Sequence, residues 1–333
     1  MSYITNRVQA VYCNSNYSSF KVITQGVPQG SILGPILFLI YINDIVNASN
    51  KFKYTIYADD TNLLLDNENI NDLHVNINAE LKAINKWIKC NKLRLNVGKT
   101  NYLIFQNRSV TVNMPPVILE GTQLNRVSVT KFLGIFIDEN LNWKFQINSV
   151  VTKLSRVCGI LYRIRNNLTP EALVSVYYTL CYPHLIYCVS AWACTWPSFI
   201  KPLQVAQNKI FRCIFYMKKF DSTQDVISTH KLLNFCSIHK YFLLLYIFKC
   251  LTHLNKTQHF QVVHSAHNTR SNNVNLTSPQ FRTVLFNNSM FCAGPNIWNS
   301  LPVDIKKFVN CSNLPLFKRS LKRLLFLQQL NQT

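Results

Sequence analysis

Two neighbouring carboxylates, Asp59 and Asp60, close the tetrapeptide Tyr57-Ala58-Asp59-Asp60. Adjacent acids repel each other, so the pair is costly unless a cation offsets it. Hard divalent cations such as Mg²⁺ take oxygen ligands, and two-metal nucleotidyl transfer needs carboxylates projected from a rigid support. Aspartate is also a favoured turn residue, so by itself the doublet also fits an ordinary solvated turn. A second segment, Gln25-Gly26-Val27-Pro28-Gln29-Gly30-Ser31, puts two glycines and a proline ahead of an apolar run. Such a loop lets backbone approach a ligand closely, and a helix N-terminus behind it favours phosphate. A bare glycine loop can equally be only a turn.

The elements that must position these residues can be read from periodicity. Lys51 to Ile56 alternates strictly, with Phe52, Tyr54 and Ile56 on one face, and predicts a half-buried strand. Leu63-Leu64-Leu65 follows the acids, which places them in the turn of a β-hairpin. Ile32 to Ile45 predicts an apolar helix after the glycine loop. Leu73, Ile77, Leu81, Ile84 and Ile88 recur at spacings of three and four and predict a helix from Asn71 to Cys90. Tyr102–Phe105, Val117–Leu119 and Lys131–Ile137 read as strands, with a turn at Glu120-Gly121-Thr122. Beyond Trp143 the pattern becomes helical. Ile147, Val150, Val151, Leu154, Cys158, Leu161 and Ile164 form one stripe, and Thr169-Pro170-Glu171 is a helix start. Leu203–Tyr216 and Tyr241–Leu254 repeat the pattern. Stripes of this kind are ordinarily core. The switch sets a domain boundary near residue 140, giving 1–140 and 141–333.

Charge changes at the same place. The chain carries 35 Lys+Arg against 14 Asp+Glu, yet residues 141–333 hold 22 basic and 4 acidic side chains. A region so positive repels itself unless it meets a polyanion, most commonly phosphate backbone. The alternative is a merely soluble basic surface. Eleven cysteines include no Cys-x-x-Cys; Cys181, Cys188 and Cys194 sit irregularly among aromatics, and Cys250 with His253 lacks a second pair. Buried thiols in a reducing compartment are expected instead. The N-terminus has no apolar signal region. Two apolar stretches, Ile32–Val46 and Ala172–Cys194, are short or broken by Gly34-Pro35 and Pro183-His184, and are expected to be buried helices rather than membrane spans.

In order and spacing, Gly26-Val27-Pro28-Gln29-Gly30-Ser31, Gly34-Pro35, Tyr41-Ile42-Asn43-Asp44 and Tyr57-Ala58-Asp59-Asp60 resemble the reverse transcriptases of non-LTR (LINE-type) retrotransposons. Leu93-Arg94-Leu95-Asn96-Val97-Gly98-Lys99-Thr100 looks like the family's next motif, and Phe132-Leu133-Gly134-Ile135 like its primer grip. Ile147 to Tyr216 resembles the thumb and connection, including Tyr182-Pro183-His184-Leu185-Ile186-Tyr187 and Trp192. Asn268-Thr269-Arg270 and Trp298-Asn299-Ser300-Leu301-Pro302 look like the C-terminal tail.

The resemblance implies an α+β fold: the second half of a polymerase palm, an antiparallel sheet with helices, over 1–140, then an all-α thumb and basic tail over 141–333. It implies RNA-directed DNA synthesis, with Mg²⁺ at a two-metal site, an RNA template, a DNA primer and deoxynucleoside triphosphates, in the nucleus or cytoplasm. Asp59 would ligate metal with Asp60 in support. Tyr57 and Ala58 would lie near the primer terminus, Gln29 and Gly30 against the incoming nucleotide, and Phe132, Leu133 and Gly134 at the primer grip. Lys99 is a candidate phosphate-neutralising or proton-donating lysine, or simply a solvated end of an element. One departure stands out. Such a polymerase uses a third carboxylate from a strand before the glycine loop, and the first 43 residues here contain no Asp or Glu. The chain is therefore expected to lack the fingers and first palm motif, to be inactive alone, and to self-associate through an uncovered palm edge. The competing reading is a non-catalytic nucleic-acid-binding remnant.

Overall fold

The computed structural model describes residues 3, 5–105, 113–252, 260–262, 275–279 and 281–331. The chain forms two compact units, one of residues 1–102 with 108–127, the other of 103–107 with 128–333.

The first unit mixes short strands with helices. β1 (Arg7–Gln9) pairs antiparallel with β4 (Lys21–Ile23), and β2 (Tyr12–Cys13) with β3 (Asn16–Tyr17). Helix α1 (Leu33–Ile42) continues as a 3-10 segment, Asn43–Ala48. The alternating strand is β5 (Lys53–Tyr57), paired with β6 (Asp60–Leu64), and α2 (Ile70–Cys90) follows. β7 (Asn101–Tyr102) pairs parallel with β10 (Asn125–Arg126), and β8 (Ile118–Leu119) antiparallel with β9 (Thr122–Gln123) across Glu120-Gly121. Leu81, Ile84 and Ile88 of α2 are buried as their spacing requires, together with Ile45, Phe52, Val117 and Leu119. Asn78 of α2 accepts the Ile118 amide at 3.0 Å, which ties β8 to that helix.

Several expectations are corrected here. In place of one antiparallel sheet, the described strands form two-stranded pieces, one of them parallel. Strand structure stops at Tyr102 rather than Phe105. The helix after the glycine loop was expected to be buried, yet only Gly34 and Ile42 of α1 are, and Ile32 just before it is 89% exposed. Apolar sequence signals a need for cover, and nothing among the described residues closes over most of this helix.

The second unit opens with a hairpin, β11 (Val129–Phe132) and β12 (Ile135–Asp138), where a single strand was expected over Lys131–Ile137. Apolar residues stand on both sides of the turn and Leu133 within it, so the run reads as one unbroken strand. The rest is helical. α3 (Lys144–Ile164) buries the predicted stripe against α7 (Pro197–Ile214), which contributes Leu203, Ile210, Phe211 and Ile214. Between them run α4 (Pro170–Val176), a wide π-helical turn at Tyr177–Cys181, α5 (Tyr182–Ile186) and α6 (Val189–Trp192). Thr169 caps α4 by accepting the Ala172 amide. After α8 (Gln224–Thr229), α9 (Phe235–Leu251) is buried nearly all round and joins two apolar clusters. The second cluster adds α11 (Met290–Asn299), α12 (Val303–Lys306) and α13 (Leu314–Asn331), with Phe248 and Phe317 stacked at 4.2 Å, while the short α10 (Val284–Asn287) before them buries no residue. No described helix is long and apolar enough to cross a membrane.

The tail-like motifs behave as structure. Trp298 is fully buried, and the Asn299 amide clamps Leu276 by donating to its carbonyl and accepting its amide, at 2.9 and 2.8 Å. The buried Lys306 ammonium donates to the Asn299 carbonyl and the Asn275 side chain, and burial lowers its pKa from the usual lysine value. Asn268-Thr269-Arg270 and His253 lie outside the described residues.

Candidate active site

The carboxylate doublet sits where the alternation puts it. Tyr57 pairs with Asp60 at the end of the β5–β6 ladder, leaving Ala58 and Asp59 as a two-residue loop. Ala58 has φ +51°, the left-handed value that tight hairpins ask of their first loop residue. Tyr54, Ile56 and Leu63 line the half-buried face of the ribbon. Tyr57 and Asp60 therefore stand on the other face, in solvent, with Asp59 at the tip. The base of the ribbon is anchored: Lys51 donates to Asn76 of α2 at 2.7 Å and lies 3.8 Å from Glu80. Lys53 meets Asp66 at 2.9 Å, and its hydrogen bond and charge hold the Asp66 carboxyl below the ordinary value.

Among the described residues, neither Asp59 nor Asp60 takes an ion pair, so both carboxylates offer their oxygens outward. They suit a hard divalent cation as donors. The donor set stops at two, because no group of three or more His, Cys, Asp or Glu side chains that could hold a metal gathers among the described residues.

The glycine loop is braced from both ends. Ser31 Oγ donates to the Pro28 carbonyl at 2.7 Å and accepts the Gly34 amide at 3.2 Å, tying the loop to the first turn of α1. Arg7, on β1, donates to the Gly26 and Gln25 carbonyls. Gly30 has φ +82°, and a Cβ there would meet open space. Glycine is thus required by backbone conformation, and the crowding that would follow a close ligand is not built into the protein itself. Gln29 and Gly30 are exposed. Lys99 is exposed in a single 3-10 turn, Val97–Lys99, and its amide donates to the Asn96 side chain that caps the turn.

Phe132, Leu133 and Gly134 belong to the second unit. Leu133 and Gly134 form the β11–β12 turn, with φ +45° and +85°, the pattern of a tight two-residue hairpin. The Tyr187 hydroxyl donates to the Leu133 carbonyl at 2.7 Å, and the Tyr187 carbonyl accepts the indole N–H of the fully buried Trp192 at 2.8 Å. At the other end, Asp138 is 2% exposed and accepts three backbone amides: Asn140 and Asn142 at 3.1 and 3.2 Å, Trp143 at 3.0 Å. Sequence reading quoted Tyr187 inside a motif without a role, and passed over Asp138 and Arg7. The Asp138-x-Asn140 pattern was a usable turn signal, since an aspartate readily accepts the amide two residues on. Nothing in the sequence pairs Tyr187 with a carbonyl 54 positions away.

Comparison with known proteins gives the following likenesses. Residues 2–137 match the family model described as reverse transcriptase (RNA-dependent DNA polymerase). The chain is 28% identical over 240 residues to the RNA-directed DNA polymerase from mobile element jockey of Drosophila melanogaster, covering 68% of this chain and 26% of that protein. It is 29% identical over 224 residues to the probable RNA-directed DNA polymerase from transposon BS, covering 64% and 25%. For that of transposon X-element the figures are 27% over 220 residues, 64% and 24%; both are from the same fly. The chain thus spans about a quarter of the length of these relatives. No solved structure matches. A polymerase family model thus matches residues 2–137, and the RNA-directed DNA polymerases of mobile elements are similar to about two thirds of the chain.

Proposed function

We propose that this chain supplies the carboxylate hairpin, nucleotide-facing loop and nucleic-acid-tracking helices of an RNA-directed DNA polymerase, and that it needs a further carboxylate to extend a primer. The observation that carries this reading is the pair of outward, unpaired carboxylates at the tip of an anchored β-ribbon. In this reading residues 1–140 are the later part of a palm, and residues 141–333 a helical thumb and basic tail.

Asp59 would hold Mg²⁺ with Asp60 beside it, and such a cation, when bound, offsets phosphate charge and favours the attacking alkoxide. Tyr57 and Ala58 would set the edge against which the primer terminus rests. Gln29 and Gly30 would face the incoming nucleotide. Lys99 would neutralise phosphate from its solvated turn, and the Phe132–Gly134 turn would brace the primer strand. The basic helices would follow template–primer backbone, giving affinity rather than sequence choice. No acid precedes Asp44, so the third carboxylate that a two-metal site wants must come from elsewhere than the first 43 residues. Loss of such a ligand typically costs at least tenfold to a hundredfold.

The test is Mg²⁺-dependent primer extension on an RNA template, comparing the chain with Asp59→Ala and measuring template–primer binding alongside. Extension that vanishes in the variant supports polymerase chemistry. Salt-sensitive binding without extension supports the second reading, a non-catalytic nucleic-acid binder, which the 22-to-4 charge balance beyond residue 140 favours. Extension unaffected by Asp59→Ala would remove the hairpin from the chemistry.

A further inference from the structure

We infer that the exposed aromatic rings around the end of α3 and the end of α7 form a stacking platform for the unpaired bases of a single-stranded nucleic acid. The inference rests on the nucleic-acid part of the reading above and not on its polymerase chemistry.

Three rings stand out from the second unit. Tyr162 near the end of α3 is 61% exposed, Tyr216 just past the end of α7 is 50% exposed, and Phe220 is 89% exposed. Rings left this bare cost free energy unless something flat and apolar covers them. They are also held in place. The Arg165 guanidinium lies 4.2 Å from the Tyr162 ring centre and 5.2 Å from that of Tyr216, and the Tyr216 hydroxyl donates to the Arg165 carbonyl. One cation therefore bridges two tyrosine faces. Phe220 is carried on a closed turn: Arg212 donates to the Asp221 carbonyl at 2.9 Å, and the Asp221 carboxylate accepts the Lys218 amide at 2.7 Å.

Charge selects the partner. From Leu141 to Thr223 ten basic side chains face two acids, Glu171 and Asp221. Asp221 already serves a backbone amide. The Lys219 ammonium sits 5.3 Å from the Phe220 ring centre, so a cation accompanies this ring too. Exposed rings interleaved with cations match what unpaired nucleotides offer, a π-face beside a phosphate. Paired bases keep their faces stacked on each other, so a duplex gains only the charge. An anionic membrane would share the cations, but it rewards aliphatic side chains on one helix face rather than pinned ring planes.

The experiment uses the full chain and fluorescence anisotropy with three probes: a labelled single-stranded oligonucleotide, an abasic strand of equal length, and a duplex. Tyr162→Ala and Phe220→Ala should each weaken binding of the base-bearing strand about tenfold. Neither should change binding of the abasic strand or the duplex, nor the slope of affinity against salt. Tyr162→Phe keeps the ring and should restore binding, and an unchanged thermal midpoint would show that the variants fold. Equal loss on the abasic strand, or no loss on the base-bearing one, overturns the platform. Ring-dependent binding to anionic lipid vesicles without ring-dependent binding to the strand overturns it as well. If the wild-type chain binds none of the three probes, the nucleic-acid reading falls with it; normal, ring-independent binding of all three removes the platform alone.

Discussion

Replacing Asp138 tests how the second unit is joined at its start. Its carboxylate receives the amides of Asn140, Asn142 and Trp143, and the last of these leads directly into α3. The site is 2% exposed, so water replaces these bonds poorly. A hydrogen bond to a charged group contributes about 1.5–3 kcal/mol net, and three that share one carboxylate do not add. Asp138→Ala should therefore cost about 3 kcal/mol, part of it the desolvation of amides left without acceptors. Asp138→Asn keeps one carbonyl oxygen for Asn140 and Asn142 and loses the acceptor for Trp143, so about half the loss is expected. In urea unfolding followed by tryptophan fluorescence, with a slope of roughly 2 kcal/mol/M, the alanine variant should shift the midpoint down by about 1.5 M. A shift under about 0.5 M for alanine, or equal shifts for the two variants, would refute this account of the Asp138 carboxylate.

Three other outcomes follow from a buried group and from the turn. Burial, aided by Lys240, lowers the His239 pKa from 6.5 to about 4, while its neighbour Cys194, 3.3 Å away, is pushed up to about 12 by burial and provides no thiolate. The unfolded chain then binds the His239 proton first. The stabilisation is complete above pH 6.5 and is lost as pH falls towards 4, by up to about 3 kcal/mol; His239→Gln should flatten that part of a stability–pH curve, and an unchanged slope would show that the imidazole is not the group. Tyr187→Phe removes the bond to Leu133 and nothing else, so amide exchange in the β11–β12 hairpin should quicken about three- to fivefold, matching a half-exposed bond of about 1 kcal/mol or less. Gly134→Ala should cost about 1 kcal/mol from φ +85° alone, because its Cβ would meet Tyr187 at an ordinary 3.7 Å, and a far larger loss would mean a clash that the geometry does not contain.

Local rules made much of this chain legible. The β5–β6 hairpin, α2, the Glu120-Gly121 turn and the Thr169 cap follow from alternation, three-and-four spacing and turn chemistry, all of which act over a few residues. What sequence reading missed depends on neighbours brought in from afar. The β11–β12 turn hid because Leu133 carries a bulky side chain at a position where turn residues are usually small or polar. The exposure of α1 could not be read at all, since an apolar run looks the same whether or not a partner covers it. For the candidate site, residue types at the hairpin and loop were readable. The donors that brace them were not, because Arg7 reaches Gly26 and Tyr187 reaches Leu133 only through the folded backbone.

The wide turn at Tyr177–Cys181 works like a correction cut into a screw thread. Leu173, Tyr177, Cys181 and Leu185 are all buried and stand four residues apart. An α-helix turns about 100° per residue, so each step of four overshoots by about 40°, and three steps would carry Leu185 about 120° away from the face that holds Leu173. The Tyr182 amide bonds back five residues to the Tyr177 carbonyl, and this slower winding takes up part of the overshoot. Pro183, which has no amide to give, falls just where the thread changes pitch. Length in this stretch is therefore counted in whole turns: a one-residue deletion inside Tyr177–Cys181 would tighten the pitch and swing α5 with Tyr187 off the Leu133 turn, although every side chain needed for the contact would still be present.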